Sequence, residues 1–540
     1  MANAAEQVTL YVNAVIHTMD PATHVAEAVA VSGNRILAVG SNSDLRGRHA
    51  QARRVDLGGR LLLPGFNDAH VHFISGGFSL FAPDLRNTAT PREFAEGIAA
   101  YARKLPANAW ILGGEWDHEK WPGTPLPTRD LVDKSTTGHP MLVSRFDGHM
   151  ALANSQALQL AGIDRNTPDP AGGLIVRDAK GEPTGVLKDS AQDLVTRIIP
   201  PRTAEEKRAA TLAATHHAAS LGVTSVSDMS ADDDVPLYQT LAREGLLKTR
   251  IYGARPITSW EKLAAQTKEV SPANQIVRIG AIKGFSDGSL GSSTAYFFDP
   301  YADQPDNRGL LFDQMFPDGI MLDRVRACDK AGLQVMIHAI GDAANRIILD
   351  IYERVAAENG PRDRRFRIEH AQHLHADDIA RFGRQQVIAS MQPYHAADDG
   401  CWCERRIGAA RCAGAYAFRS LLKAGAILAF GSDWLVAPLD PIPAIKAAVT
   451  RQTLDGKHPD GWVPEECITV GQAVRACTMG SAYAEFAENE KGSISPGKLA
   501  DFVVLDKNIF KMDSQSIDSA KVILTVMNGR KVFEKSGVIS

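Results

Sequence analysis

The chain changes its hydrophobic rhythm twice. At both ends apolar and polar positions alternate with a period of two, in short runs broken by turn residues. That is the pattern of half-buried β-strands. Residues 8–16 alternate, and residues 28–31 and 35–39 flank Ser32-Gly33-Asn34, a hairpin turn. Gly58-Gly59 makes another turn before the apolar run that begins at Leu61. At the other end residues 501–505 read as a buried strand. Residues 522–527 and 531–534 flank Asn528-Gly529, the strongest short hairpin signal. Two all-β ends around a different middle predict that the termini meet in one small β domain.

From Thr203 onward the pattern becomes helix, strand, helix, strand. Thr203 is placed to cap a helix running to about Ser220. Short apolar runs follow, each closing on a polar residue. They are 223–227 ending in Asp228, 250–254 ending in Arg255-Pro256, and 276–282 ending in Lys283. Next come 334–337 ending in His338, 366–369 ending in His370, 387–391 ending in Gln392, and 426–431 ending in Asp433. Segments of helical period lie between most of them, such as 343–358 and 441–450. Strands alternating with helices predict parallel βαβ units. With the Leu61 strand placed first, the count reaches the eight of a (β/α)8 TIM-type barrel. Residues 84–200 interrupt this with turn clusters such as Trp121-Pro122-Gly123 and Gly181-Glu182-Pro183. That stretch is too long for a loop and reads as an inserted subdomain. The predicted division is 1–64 with 486–540 as a composite β-sandwich, 65–84 with 201–485 as the barrel, and 85–200 as the insertion.

Composition narrows the class. A chain of 540 residues is too long for one compact core. The net charge of -4 is spread over well-mixed acids and bases, which argues against a nucleic-acid partner. No run of about 18 apolar residues suggests a membrane span, and residues 1–10 lack the basic start and apolar run of a secretory signal. The six cysteines are too scattered for a disulfide scaffold, so reduced thiols in the cytoplasm are expected. Cys401-x-Cys403 with Cys412 lacks the paired Cys-x2-Cys spacing of structural zinc and is read as ordinary thiols in a loop. A homodimer is the base-rate expectation for assembly.

The candidate chemistry sits where a barrel carries its active site, at the C-terminal strand ends. His70-Val71-His72 closes the first apolar run, and on a strand two residues one apart share a face. Lys283, His338, His370 and Asp433 close the fourth, fifth, sixth and eighth. Parity agrees: Ile279, Ala281 and Lys283 share a face, as do Phe366, Ile368 and His370, and Ile427, Ala429, Gly431 and Asp433. Four histidines and an aspartate suit zinc, or manganese, cobalt or iron. A buried lysine near a metal has a depressed pKa. As the neutral amine it can take up carbon dioxide and become a carbamate, an anion suited to bridge two cations. Two metals about 3.5–4 Å apart could hold one hydroxide between them.

The chain resembles metal-dependent amidohydrolases of the branch typified by N-substituted formamide deformylases. The likeness is carried by residues 64–72 (Pro64-Gly65-Phe66-Asn67-Asp68-Ala69-His70-Val71-His72), Lys283-Gly284-Phe285-Ser286-Asp287-Gly288-Ser289 and Ile337-His338-Ala339-Ile340-Gly341-Asp342. Arg367-Ile368-Glu369-His370, Gly431-Ser432-Asp433, the Gly148-His149-Met150-Ala151-Leu152-Ala153-Asn154-Ser155 segment and Gly181-Glu182-Pro183-Thr184-Gly185 extend it. The resemblance implies a distorted barrel with a composite β-sandwich, and hydrolysis of a carbon–nitrogen bond in an amide-like small molecule such as a linear N-substituted formamide or N-acyl amine. It implies that His70, His72 and Asp433 hold one divalent ion and His338 and His370 a second, with carboxylated Lys283 as bridge. Attack by the hydroxide would use Asp433 as proton shuttle to the leaving amine. A single-metal site of His70, His72, His338 and Asp433 stays open, as do a cyclic amidase, an amino-heterocycle deaminase, and a non-catalytic binding or regulatory protein on the same scaffold.

Secondary expectations concern the surroundings. His149, Asp287, Gln392 and Trp434 are candidate substrate contacts. Asp228, Arg255 and Gln392 end strands and are candidates to support the ligands or to contact substrate. Phe285, Tyr296, Phe297, Phe298, Trp402 and Trp434 suggest an apolar pocket for an aryl or alkyl substituent. His373 and His375 are read as a solvated loop, His216-His217 as structural, and Arg405, Arg406 and Arg411 as surface charge.

Overall fold

A computed structural model describes residues 7–230, 232–266, 272 and 275–537. The first six and last three residues of the β-sandwich assigned above lie outside the described residues. The centre is a barrel of eight parallel strands lying side by side in chain order. They are β1 (Phe66–Val71), β2 (Val223–Asp228), β3 (Arg250–Pro256), β4 (Val277–Phe285), β5 (Gln334–Ala339), β6 (Arg367–His370), β7 (Ile388–Met391) and β8 (Leu428–Phe430). Helices cover the outside. Thr203 caps Ala204–Ser220 in a capping box with Glu206, as its position in the sequence requires. The helix Asp342–Asn359 lays Ile348, Leu349, Tyr352 and Val355 onto the outer face of the sheet. Among the described residues no helix is long and apolar enough to cross a membrane.

The pairing of β8 with β1 is not a regular ladder. The His70 carbonyl accepts the Asp433 N–H at 2.7 Å, and the Trp434 carbonyl accepts the His72 N–H at 2.6 Å. The buried Asp68 carboxylate accepts the N–H groups of His70 and Ser432, each at 3.0 Å. Burial pushes Asp68 up to about 7 against those bonds. The barrel therefore closes through the segments that carry the candidate ligands.

The apolar run from Leu61 is two strands rather than one. Leu61–Pro64 pairs with Phe502–Leu505 and Val15–His17 in a six-stranded sheet, and Phe66–Val71 belongs to the barrel. Gly65 is the break. A Cβ there would lie 2.1 Å from Thr224 Oγ1, so only glycine lets the chain pass from one sheet to the other. The six-stranded sheet mixes both termini and shares a core, including Tyr11, Val29, Leu62 and Phe502, with a four-stranded N-terminal sheet.

The turn-rich stretch after β1 contains a regular five-stranded sheet that its sequence hides. Ile111–Trp116, Met141–Arg145, Met150–Ala153, Pro183–Asp189 and Gly173–Arg177 lie next to one another in that order. Both faces are covered, by Leu85, Phe94 and Trp121 on one side and Ala157, Leu158 and Val195 on the other. Strands buried on both faces lose the alternation by which strands are recognised.

At the opposite end from the strand-end polar residues, Glu485 gathers three buried partners. Its carboxylate accepts from Arg278 at 2.6 Å, Lys491 at 2.5 Å and Asn67 at 2.7 Å. Glu485→Ala strands two buried cations, a loss of about 3–5 kcal/mol. Chemical denaturation is expected to show this as an earlier midpoint, while a midpoint within error of the wild type would refute the role.

Candidate metal centre

Three elements bring the central ligands together. His70 lies near the end of β1, and His72 begins the helix Phe73–Ser79. Asp433 lies three residues beyond β8, in the turn bonded to His70. His70 Nε2 and His72 Nε2 stand 3.5 and 3.4 Å from Asp433 Oδ1, and His370 Nδ1 stands 4.0 Å from Asp433 Oδ2. One ligand atom from each of His70, His370 and Asp433 lies within 4.8 Å of the others. Lys283 Nζ is 3.4 Å from His70 Nε2. The His338 ring centroid is 4.5 Å from that of His370, but His338 is outside the compact triad. All six are buried except His72, whose side chain keeps 29% of its exposure.

The route to this convergence differs from simple strand parity. In β6 Ile368 packs in the outer layer, while Arg367 and Glu369 reach β1 and β7 across the barrel. His370 joins the inner group through a left-handed backbone, φ 73°. Asp433 likewise sits at φ 58°, off the strand. Non-glycine residues pay for such conformations, and they gather at functional sites. His72 is not on the strand face either; the strand-to-helix turn delivers it.

Each buried histidine has one ring nitrogen held and one left over. His70 Nδ1 is 2.6 Å from Glu369, which is in turn clamped by Arg367 at 2.7 and 3.0 Å. His338 Nε2 is bonded to the Gly288 carbonyl at 3.0 Å, and His370 Nδ1 to Gln392 Oε1 at 2.9 Å. These acceptors place the proton on the held nitrogen and leave a lone pair on the other, the arrangement of metal-ligating imidazoles. Asp433 Oδ1 is buried without a hydrogen bond. An orphaned carboxylate oxygen facing the Nε2 atoms of His70 and His72, with the Lys283 amine beside the first of them, fits a cation. Sequence reasoning missed Glu369; the alternation Arg367-Ile368-Glu369 inside a buried strand was the available signal.

Electrostatics follow from burial. It pushes the His70 imidazole down to about 4, aided by Lys283, and holds His338 and His370 well below the ordinary value. Burial also lowers Lys283 to about 8. For Asp433 burial acts upward, but the histidines around it outweigh that and hold its carboxyl well below the usual range. The site is thus built from neutral imidazoles, a carboxylate and a lysine that can lose its proton.

Other predicted residues separate into cavity and frame. A cavity of about 260 Å³ opens over the cluster, lined in part by His149, Phe285, Trp402 and Val436. Asp287 is a frame residue. It accepts the N–H groups of Tyr296, Ile340 and Gly341 at 2.8–3.0 Å, and burial raises it to about 7. Gln392 also acts from behind, on His370. Trp434 faces away from the cavity, against Phe73 and His217. Asp228 fixes the helix after His72 by accepting the Phe73 N–H at 3.2 Å and the Tyr238 hydroxyl at 2.9 Å. Phe297 belongs to the core beside Tyr301 and His373, and Phe298 is exposed.

Two expectations about loop residues are corrected, at His373 and at Arg406. His373 is buried between Phe297 and Tyr416, which lowers its pKa to about 3, whereas His375 is exposed and caps a helix. Arg406 is buried and pairs with Glu119 at 2.5 Å and Asp303 at 3.1 Å, Arg405 pairs with Glu119 as well, and Arg411 donates to the carbonyls of Asp299 and Pro300. Arg406 thus ties the insertion and the β4 loop to the β7 loop, whereas Arg405 is exposed and Arg411 half-buried at the surface, as read from the sequence. Cys401, Cys403 and Cys412 are free thiols, as read, although Cys403 and Cys412 sit on short helices, with the Cys412 thiol 3.7 Å from Cys403 Sγ.

The sequence profile described as "Amidohydrolase family" matches residues 53–533. Protein LONG AFTER FAR-RED 3 of Arabidopsis thaliana is 40% identical, over 97% of this chain and 91% of that protein. The N-substituted formamide deformylase of Arthrobacter pascens is 28% identical, over 98% of both. Among solved structures, an uncharacterized metal-dependent hydrolase from Pyrococcus horikoshii OT3 superposes with a TM-score of 0.76 at 26% identity, covering 94% of this chain and 99% of that one.

Proposed function

Since the chain belongs to the amidohydrolase family, we propose that it is a metal-dependent hydrolase that cleaves an uncharged linear amide, an N-substituted formamide or N-acyl amine. The supporting observation is the gathering of His70, His370 and Asp433 beside Lys283, with His70 and His370 each held through Nδ1 and the Lys283 amine against His70 Nε2. In this reading His70, His72 and Asp433 hold one divalent ion, zinc by the donor set, and His338 and His370 a second. Bound ions would polarise the amide carbonyl and make water reactive at neutral pH.

Lys283 is assigned the bridge. Burial lowers its pKa to about 8, which makes the free amine accessible. That amine adds to carbon dioxide, forming a nitrogen–carbon bond and releasing one proton, and the resulting carbamate is the anion a pair of cations requires. Asp433 carries the proton. Its Oδ1 faces His70 and His72 while Oδ2 lies on the His370 side. It takes a proton from the attacking water and gives it to the leaving nitrogen.

The cavity supports an uncharged substrate. Its permanent cation, Arg145, is fully buried and already paired with Asp147 at 2.6 Å and Asp117 at 3.1 Å. Phe146, Phe285, Trp402, Ile340, Leu435 and Val436 form apolar wall. Away from the candidate metal centre a substrate carboxylate would meet apolar wall and an arginine already paired twice, so neutral N-aryl or N-alkyl amides are favoured over N-acyl amino acids.

A panel of N-benzylformamide, N-benzylacetamide, a cyclic imide and an aminotriazine tests the reading. Release of benzylamine is expected; turnover confined to the imide or the aminotriazine would replace it. Glu369→Gln is expected to weaken metal binding roughly 10–100-fold, because the carboxylate that orients His70 is gone. Metal titration followed by competition with a chelator measures this, and unchanged affinity would remove Glu369 from the site.

A further inference from the structure

The helix Pro393–Asp399 follows β7 directly and runs along the cavity wall. It starts behind His370, where Gln392 holds Nδ1. His395 stands beside the candidate metal centre, its ring centroid 6.4 Å from that of His370. Asp399 is one turn further on, about 6 Å along the helix axis. His395 and Asp399 both line the cavity, and so do Gln372 and Trp402. Asp399 is therefore placed for the part of a substrate that lies beyond the scissile bond.

The two oxygens of this buried carboxyl are used unequally. Oδ2 accepts the Tyr416 hydroxyl at 2.6 Å and the Gln372 amide N–H at 2.8 Å. Tyr416 is itself fully buried, so this side of the group is fixed. Oδ1 makes no hydrogen bond among the described residues. It is not sealed in protein either, unlike the indole Nε1 of Trp402 three residues on. Arg145, the permanent cation of the cavity, is committed to Asp117 and Asp147. Oδ1 is thus a polar atom left to the cavity, and an enclosed site with such an atom favours a ligand that pairs it.

The partner must suit both forms of the acid. Burial pushes the Asp399 carboxyl up to about 8, while the Tyr416 bond and Arg145 oppose the rise. Near neutral pH the group carries a proton, and that proton is on Oδ1 because Oδ2 already accepts twice. Oδ1 then donates; once ionised, it accepts. An ether on the substrate would suit only the acid, and an ammonium only the carboxylate. A hydroxyl suits either, since it both donates and accepts.

We propose that Asp399 Oδ1 binds a hydroxyl carried on the N-substituent of the substrate, so that hydroxylated N-benzyl amides are preferred over methylated ones of the same shape. This deepens the linear-amide reading above and rests on it. Tyr416 and Gln372 are positioning residues that hold the carboxyl from behind. A site that hydrogen-bonds a substrate hydroxyl rejects the analogue lacking it, because its own polar group is then left unpaired.

Kinetics at pH 7 with metal-loaded wild-type enzyme compare the three N-(hydroxybenzyl)formamides with the three N-(methylbenzyl)formamides and with N-benzylformamide. At one ring position the hydroxyl compound is expected to exceed its methyl counterpart about tenfold in kcat/KM. In Asp399→Leu, which is similar in shape and lacks both oxygens, that ratio is expected to fall within about twofold of unity. Should the stranded Tyr416 hydroxyl prevent folding, Asp399→Leu/Tyr416→Phe carries the same expectation. Cleavage of N-benzylformamide with no hydroxyl preference at any ring position overturns this proposal alone and needs no variant. A preference that survives loss of the Asp399 oxygens overturns it too. Wild-type enzyme that cleaves none of the seven formamides overturns the linear-amide reading, and this proposal with it.

Discussion

Asp433→Asn is expected to lower kcat by two to four orders of magnitude while the protein keeps most of its metal. The asparagine retains an oxygen where Oδ1 faces His70 and His72. An amide cannot take up a proton at neutral pH, and general acid–base catalysis of this kind contributes about 10²–10⁴. That corresponds to about 3–5 kcal/mol of barrier. The surroundings explain why a carboxylate so deeply buried stays ionised: three histidines face it and outweigh the cost of burial. Steady-state kinetics with metal analysis of the same sample decides the matter. Activity near the wild-type rate would move the proton-carrying role to another group.

Lys283→Ala is expected to lose metal and activity together. The lysine is buried with its nitrogen 3.4 Å from His70 Nε2 and 4.8 Å from the Phe285 ring centroid. Its surroundings stabilise the neutral amine, from which the carbamate forms. Removing the side chain leaves a space that a free carboxylate can enter, so small carboxylic acids are expected to restore part of the activity. Rescue that rises with acid concentration and saturates would support the bridge. Unchanged metal content and rate in the alanine variant would eliminate it.

Strand ends were legible because a barrel strand is an apolar run that stops at a polar residue. Lys283, His338 and His370 were visible for that reason, and so was the helix capped by Thr203. What escaped depended on partners distant in the chain. Gly65 marks a change of sheet only because Thr224 fills the space where its side chain would be. Arg406 looked like surface charge because its partner Glu119 is 287 residues away. His373 is covered by Phe297 and Tyr416, which no local pattern announces. Parity failed at His370 and Asp433 because both leave extended backbone, and no period describes a left-handed residue. The five-stranded sheet of the insertion was hidden by being covered on both faces.

The most direct test is a high-resolution crystal structure of metal-loaded protein with anomalous differences collected at the metal edge. Two peaks are expected within the ring formed by His70, His72, His338, His370 and Asp433, with extra density for a carbamate continuous with Lys283 Nζ. Divalent ions bound elsewhere, with these side chains turned away from one another, would contradict the assignment of the site.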